Sequence, residues 1–369
     1  VKSLPLYKQI QQDIRRLITI GQLREGDRVP SEKELATQYR VSQITSKNAL
    51  LGLMEEGLLV RIQGKGTFVM RRSENKREPE EQSSVGWLTY RSGRIGLVLP
   101  TMKTKVDQLI LDEIERHATA AGYEVLLRIT RESQQEESRV IASFLKQGVD
   151  GIIIFPVENE TYNDSILRLS LDRFPFVFID RYLKGIKCCS VSADNTGGMR
   201  QAVESLIAKG HTSIALISPE ITNTVTDERA AGFEQVFLER KASIDKNLWC
   251  MLPLELIASG AAERLIAAFL QERPHVTAAV TANTELCRYA WRAVQAGGKT
   301  IPRDMELVTF DLPELPGVSY IRQDIREMCK LTMALLVEQM NGEQEHRQLV
   351  VPVSYVEASE SNFILNKIY

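Results

Sequence analysis

The chain has 369 residues, 43% hydrophobic and 25% charged, with a formal net charge of −2. That length exceeds one ordinary core and predicts two or three domains. No run of about 18 apolar residues occurs, so no membrane-spanning helix is expected.

The charge is unevenly divided. Residues 1–72 hold 13 lysines and arginines against 7 acidic residues, and the remainder holds 33 against 41. A basic head on an acidic body predicts that the head alone meets a polyanion. The N-terminal VKSLPLYKQI lacks the apolar core of a signal peptide. The five cysteines (Cys188, Cys189, Cys250, Cys287, Cys329) form no CxxC pair, and the four histidines are scattered. They read as reduced thiols of a cytoplasmic protein with no metal site.

From Pro5 to Ile20 the apolar residues Leu6, Ile10, Ile14, Leu17 and Ile18 recur at helical spacing, and Gly21 and Gly26 end the run. A second helix starts at Pro30-Ser31-Glu32-Lys33-Glu34, where Ser31 and Glu34 can form a capping box. A third starts at Val41-Ser42 and carries Ile44, Ala49, Leu50, Leu53 and Met54 on its buried side. Leu58–Arg61 and Thr67–Val69 flank Gln63-Gly64-Lys65-Gly66, which predicts a hairpin. Three helices and a hairpin within residues 1–70 make a winged helix-turn-helix of α+β type. The third helix would enter the major groove with Ser42, Gln43, Thr45, Lys47 and Asn48 at its N-terminal end. Lys65 at the wing tip would reach phosphate or the minor groove. GKGT lacks the spacing and the following helix of a phosphate loop.

Residues 71–93 are polar and aperiodic, a linker in which Trp87 and Leu88 could dock. Residues 94–369 then alternate strand and helix. Apolar runs at Ile95–Leu99, Val125–Ile129, Gly151–Phe155, Phe176–Ile179, Ser213–Ile217, Ala278–Thr281 and Leu307–Phe310 alternate with helical patterns such as 107–121, 134–147, 195–209, 226–241 and 284–297. Strands apolar on both faces predict parallel sheets covered on both sides, and their number predicts two α/β lobes with a cleft.

The segments PLYKQIQQDIRRLI, GQLREGDRVPSEKELA, VSQITSKNALLGLMEEGLL and QGKGTFV resemble the GntR family of bacterial regulators over nearly all of residues 4–70. The resemblance implies operator contacts at Lys33, Ser42, Gln43, Thr45, Lys47 and the wing Gly64, Lys65 and Gly66. That family usually has arginine where this chain has Lys33, Gln43 and Lys47, and Gln43 suits adenine better than guanine. The segments RIGLVLP, GYEVLL, GVDGIIIFP, FVFIDR, VSADNTGG, LIAKGHTSIALIS, DERAAGF, AVTAN and IPRDMELVTFD resemble the sensor domain of the LacI/GalR family, itself similar to periplasmic sugar-binding proteins. A GntR head on such a body resembles the arabinose-operon repressors of certain bacteria.

Ligands of α/β sheets bind beyond the carboxyl ends of the strands. Asp180, Arg181, Arg229, Asn283 and Asp311 fall at such positions or just beyond, and Gln323 falls where the resemblance puts a lobe crossover. Asp180 and Asp311 could equally cap helices, and Arg229 could pair with Asp227 or Glu228. Asn283-Thr284 stands where the LacI/GalR pattern has Asn-Asp. The first loop, Thr101–Lys105, carries lysines in place of the usual aromatic pair, which would suit an anionic effector such as a sugar phosphate. Trp249 and Trp291 read as core residues.

The resemblance implies a homodimeric repressor of carbohydrate-utilisation genes, bound to double-stranded operator DNA and released by a small sugar. An activator, or a regulator of a non-sugar or phosphorylated effector, fits the same residues. A solute-binding protein is disfavoured by the basic head. An enzyme is disfavoured by the lack of a nucleophile elbow, a GxGxxG after the first strand, a cofactor motif or a metal cluster.

Overall fold

The computed structural model describes residues 6–19, 21–24, 26–39, 41–55, 58–62, 66–69, 91–158, 162–343 and 345–358. They fall into two compact units, one within Val1–Ser84 and one within Val85–Tyr369. The expected linker lies outside the described residues except for its last three.

The first unit contains α1 (Leu6–Thr19), β1 (Arg28–Val29), α2 (Glu32–Tyr39), α3 (Gln43–Glu55), β2 (Leu59–Ile62) and β3 (Gly66–Val69). Its core is the apolar face read from the helical spacing: Ile10, Ile14, Leu35, Ala49, Leu50, Leu53 and Leu59. The capping box at α2 is formed, with Ser31 N donating to Glu34 Oε2 at 2.6 Å and Glu34 N to Ser31 Oγ at 3.3 Å. Tyr39 donates its hydroxyl to Asp13 at 3.0 Å, tying α2 to α1, and burial with that carboxylate pushes its pKa up to about 12. The hairpin β2–β3 gains a third strand, since β1 pairs antiparallel with β3. The sequence reading missed β1 because two residues carry no period.

In the second unit the first lobe holds β4 (Arg94–Leu99), α4 (Lys105–Ala120), β5 (Glu124–Ile129), α5 (Gln134–Gln147), β6 (Gly151–Ile154), α6 (Asp164–Leu171), β7 (Phe176–Ile179) and β8 (Cys189–Ala193). The second lobe holds α7 (Asn195–Ala208), β9 (Ile214–Pro219), α8 (Thr224–Glu239), β10 (Trp249–Leu252), α9 (Leu254–Ala258), α10 (Ala262–Gln271), β11 (Ala278–Thr281), α11 (Thr284–Ala296), β12 (Glu306–Phe310) and β13 (Val318–Arg322). The chain then returns to the first lobe with α12 (Ile325–Met340) and β14 (Gln348–Val351), and to the second with β15 (Ser354–Val356). Sheet orders are β14-β8-β7-β6-β4-β5 and β10-β9-β11-β12-β13-β15, parallel except for β15 against β13.

Three short segments therefore cross between lobes: Asp194, Gln323-Asp324 and 352–353. The central strands of both sheets are buried on both faces. In β4, Ile95, Leu97 and Leu99 face one cluster and Val98 the other. In β9, Ala215 and Ile217 face one cluster and Ile214 and Leu216 the other. Alternate residues thus serve opposite apolar layers, as strands covered on both sides require. Among the described residues no helix is long and apolar enough to cross a membrane.

One close approach fixes where α8 lies. A Cβ at Gly232 would sit 2.5 Å from the backbone oxygen of Thr196 in α7. Gly232→Ala is therefore expected to push α8 off α7 and to cost about 1–3 kcal/mol by overpacking, measured by urea unfolding of the full chain.

Candidate functional site

Two surfaces carry the residues singled out by sequence. In the first unit, Ser42 caps α3: Thr45 N donates to Ser42 Oγ at 3.2 Å, and the Ser42 and Thr45 hydroxyls lie 2.8 Å apart. Both hydroxyls are thus engaged locally, and one of the two keeps its O–H free to donate. Ser46 is buried and donates to Glu32 O at 2.8 Å, locking α3 against α2. Lys33, Gln43 and Lys47 are exposed, and Gln43 and Lys47 are one helical turn apart. Gly64 and Lys65 lie outside the described residues, as do the side chains of Ile44 and Asn48, and Gly66 opens β3.

In the second unit, β7 and β12 end alike. Asp180 follows β7 with φ +67° and donates its N–H to Val191 O in β8 at 2.9 Å. Asp311 follows β12 with φ +65° and donates to Ile321 O in β13 at 2.9 Å. Aspartate is among the few residues that tolerate this left-handed turn. Neither aspartate caps a helix, because in each case a loop and then another strand follow.

Arg229, in the second turn of α8, is 6% exposed. Its Nε donates to Asn195 Oδ1 at 2.9 Å, Nη1 donates to Ala282 O, and the guanidinium lies 3.6 Å from the centroid of the Phe310 ring. It does not pair with Asp227, which binds Lys184 instead.

The charges of Asp180, Asp311 and Arg229 act on one another. Burial raises the pKa of Asp180 to about 6, against the pull of Arg181 and Arg229, and Asp311 and Asp107 push it the same way as burial. Burial also raises Asp311, opposed by Arg229 and by a 2.8 Å hydrogen bond from Gln323 Nε2. Burial lowers Arg229 to about 10, opposed by the two aspartates. A pair of acids from the two lobes and one stacked guanidinium therefore share a poorly solvated space. Gln323 is 8% exposed, and its Oε1 has no hydrogen-bond partner. A buried acceptor left open costs free energy unless a ligand or water satisfies it.

The remaining expected residues serve differently. Asn283 caps α11, with its Oδ1 accepting from Leu286 N at 2.9 Å. The β11–β12 register puts it alongside Asp311 at the same sheet edge. Arg181 is bound by Glu158 at 2.6 Å and by Pro156 O at 3.2 Å, and its Nε lies 3.9 Å from Asp180, on which its charge still acts. Lys103 and Lys105 are exposed. A nearby charge felt at Asp180 is that of Asp107, in the first turn of α4, which accepts from Thr101 Oγ1 at 2.7 Å and is 3% exposed. Trp249 packs edge-on against Phe233, and Trp291 bonds Pro316 O, so both are packing residues.

Asn195, Glu158, Glu132 and Asp107 belong to this site and were not singled out by sequence. Asn195 lies in VSADNTGG at the start of the helical pattern 195–209, which carried no sign of its role. Among the described residues no group of three or more His, Cys, Asp or Glu could hold a metal.

Comparison with known proteins matches residues 6–69 to the bacterial regulatory proteins of the gntR family and residues 203–359 to the periplasmic binding protein-like domain. An arabinose metabolism transcriptional repressor of Geobacillus stearothermophilus is 29% identical over 84% of this chain and 83% of its own. A repressor of the same description from Halalkalibacterium halodurans is 23% identical over 89% and 86%. A solved regulatory protein of the LacI family from Chloroflexus aggregans superposes with a TM-score of 0.64 at 27% identity, covering 73% of this chain and 99% of that one.

Proposed function

We propose that this chain, a gntR-type regulatory head joined to a periplasmic-binding-protein-like body, is a cytoplasmic, homodimeric repressor that leaves its operator when a neutral polyhydroxylated effector closes the body. The observation that carries the effector class is that Asp180 and Asp311, buried at equivalent strand ends of the two lobes, both feel the charge of the buried Arg229. Carboxylates accept from sugar hydroxyls, the guanidinium donates to them, and Gln323 Oε1 accepts one more. Asp107, Glu132, Glu158, Asp180 and Asp311 against Arg181 and Arg229 leave the site acid-rich, which disfavours a phosphate. The lysines of the first loop are exposed and do not alter that balance. The described residues of the site offer hydrogen-bond donors and acceptors suited to holding a ligand, which supports a sensor.

Release works by population shift. The effector binds one lobe arrangement better, and that preference sets how far DNA affinity falls. In the head, Lys33, Gln43 and Lys47 are the operator contacts, and the wing residues Gly64, Lys65 and Gly66 complete the grip. Lys33→Ala and Lys47→Ala are each expected to weaken DNA binding at every sequence and to lower the salt slope by about 1. Gln43→Ala is expected to relax base preference at one operator position by about 1–3 kcal/mol.

The test is fluorescence anisotropy against the DNA upstream of the chain's own gene, at two salt concentrations, with arabinose, ribose, xylose and their phosphates. Release by one plain sugar supports the reading. Release by a phosphate alone overturns the effector class, and tighter binding with sugar overturns the sign.

A further inference from the structure

The lobes touch along one rim of the cleft, through polar contacts that share Glu158 with the effector site. On the first-lobe side stand Glu158, beyond β6, and Tyr182 and Lys184, beyond β7. On the second-lobe side stand Thr222, Asn223 and the first two turns of α8. Thr222 Oγ1 donates to Glu158 Oε2 at 3.3 Å, and Asn223 Nδ2 donates to the same oxygen. Tyr182 N donates to Thr224 Oγ1 at 3.3 Å, Tyr182 Oη to Glu228 Oε1 at 2.9 Å, and Lys184 pairs with Asp227.

Glu228 has a second connection. Its Oε2 accepts from Asn195 Nδ2 at 3.0 Å, and its backbone oxygen accepts from Thr196 Oγ1 at 3.3 Å. Asn195 is 1% exposed and opens α7 immediately after the first lobe crossing. The other end of its amide, Oδ1, accepts from Arg229 Nε. A continuous hydrogen-bonded path therefore runs Tyr182–Glu228–Asn195–Arg229, from the rim through the hinge to the cation of the effector site.

We propose that Glu228 is a positioning residue that latches the lobes through Tyr182 while holding the hinge residue Asn195, so that rim closure and the orientation of Arg229 are set together. This rests on the reading of the body as a two-lobed sensor. Its two carboxylate oxygens divide the work, one to the opposite lobe and one to the hinge. Opening the lobes must break the Tyr182 bonds and the Glu158 and Lys184 contacts at once. Each is weak in water, but they act in parallel on a two-state element, and the effector then needs less differential affinity to complete closure. The same path gives the latch a way to act on ligand affinity without touching ligand. When Tyr182 lets go, Glu228 loses its far anchor, and the Asn195 amide that fixes Arg229 Nε loses a fixed partner.

Paired spin labels at Lys146→Cys on α5 and Gln295→Cys on α11, in the full chain diluted with unlabelled protein, test this. The native cysteines are all buried, so only the introduced ones take label. Double electron–electron resonance without any sugar should give a short interlobe distance for the parent. Tyr182→Phe and Glu228→Ala should each add a longer population, whereas Tyr162→Phe, a surface tyrosine of the first lobe, should not. Where a plain sugar binds the parent, Tyr182→Phe should weaken it about 5- to 20-fold through the reduced closed fraction. Unchanged distances in Tyr182→Phe overturn the latch even if Glu228→Ala fails to fold. Opened distances in a protein that binds no sugar would uphold the latch and overturn the sugar reading.

Discussion

Replacing Arg229 by lysine is expected to give a protein that still occupies its operator and no longer leaves it when effector is added. The head is a separate compact unit that the substitution does not touch, so DNA affinity should stay within a factor of about two. Effector affinity should fall at least about 100-fold, or roughly 3 kcal/mol.

The reason lies in what the guanidinium does here. Its Nε is committed to Asn195, Nη1 is committed to Ala282 O, and the plane stacks on Phe310. An ammonium is a point charge that reaches one of these partners and cannot stack, so the exchange is not conservative. It keeps the positive charge that Asp180 and Asp311 require. The fold should therefore survive, which Arg229→Met would not guarantee, because that change leaves the buried Asp311 without its counter-charge and Asp180 with Arg181 alone. Isothermal titration with the releasing sugar, beside operator anisotropy, reads both quantities. Full release at wild-type sugar concentrations would mean that the effector sits elsewhere.

What the sequence made legible follows from how strongly each segment is patterned. β4, β6, β7, β11 and β12 are apolar runs covered on both faces, and the sequence reading found them to within a residue or so. β8 was missed because it reads Cys-Ser-Val-Ser-Ala, with Cys189, Val191 and Ala193 on one buried face and Ser190 and Ser192 on the other. Small polar residues satisfy a buried face there, and no apolar run results. β10 and β13 carry mixed patterns because alternate positions are only partly covered. α12 has a strong apolar face, but its place in the first lobe depends on a crossing that no local period encodes.

The site divided in the same way. The strand-end rule pointed to Asp180 and Asp311, yet a strand end looks identical before a helix or before another strand. Only the fold separates a helix cap from a free left-handed turn. Asn283 went the other way and is a cap. Asn195, Glu158 and Glu228 were invisible because their roles come from partners 33 to 65 residues distant in the chain.

Asp180→Asn is expected to make the effector-free protein more stable at neutral pH while weakening effector binding. In the folded chain Asp180 titrates near 6, pushed up chiefly by burial. In the unfolded chain it titrates near an ordinary value of about 4. A raised acid contributes stability fully present below the unfolded value, and that contribution is lost as pH rises from about 4 through 6. Two units correspond to roughly 3 kcal/mol at most, and Arg229 and Arg181 are already counted within the shift. Asparagine keeps the shape and tolerates φ +67°, so the substitution removes the charge and little else. The variant should melt several degrees above the parent at pH 7.5, and the gap should close toward pH 4.5. Effector binding should show the opposite dependence. A sugar hydroxyl bonds a carboxylate more strongly than a carboxylic acid. The parent should therefore bind more tightly as pH rises from 5 to 7.5, and Asp180→Asn should bind at least about tenfold more weakly, without that slope. A variant that melts below the parent at pH 7.5 would instead make Asp180 a net stabilising partner of Arg229. The acid would then be held for the fold, and the case for Asp180 as an effector contact would lose its energetic basis.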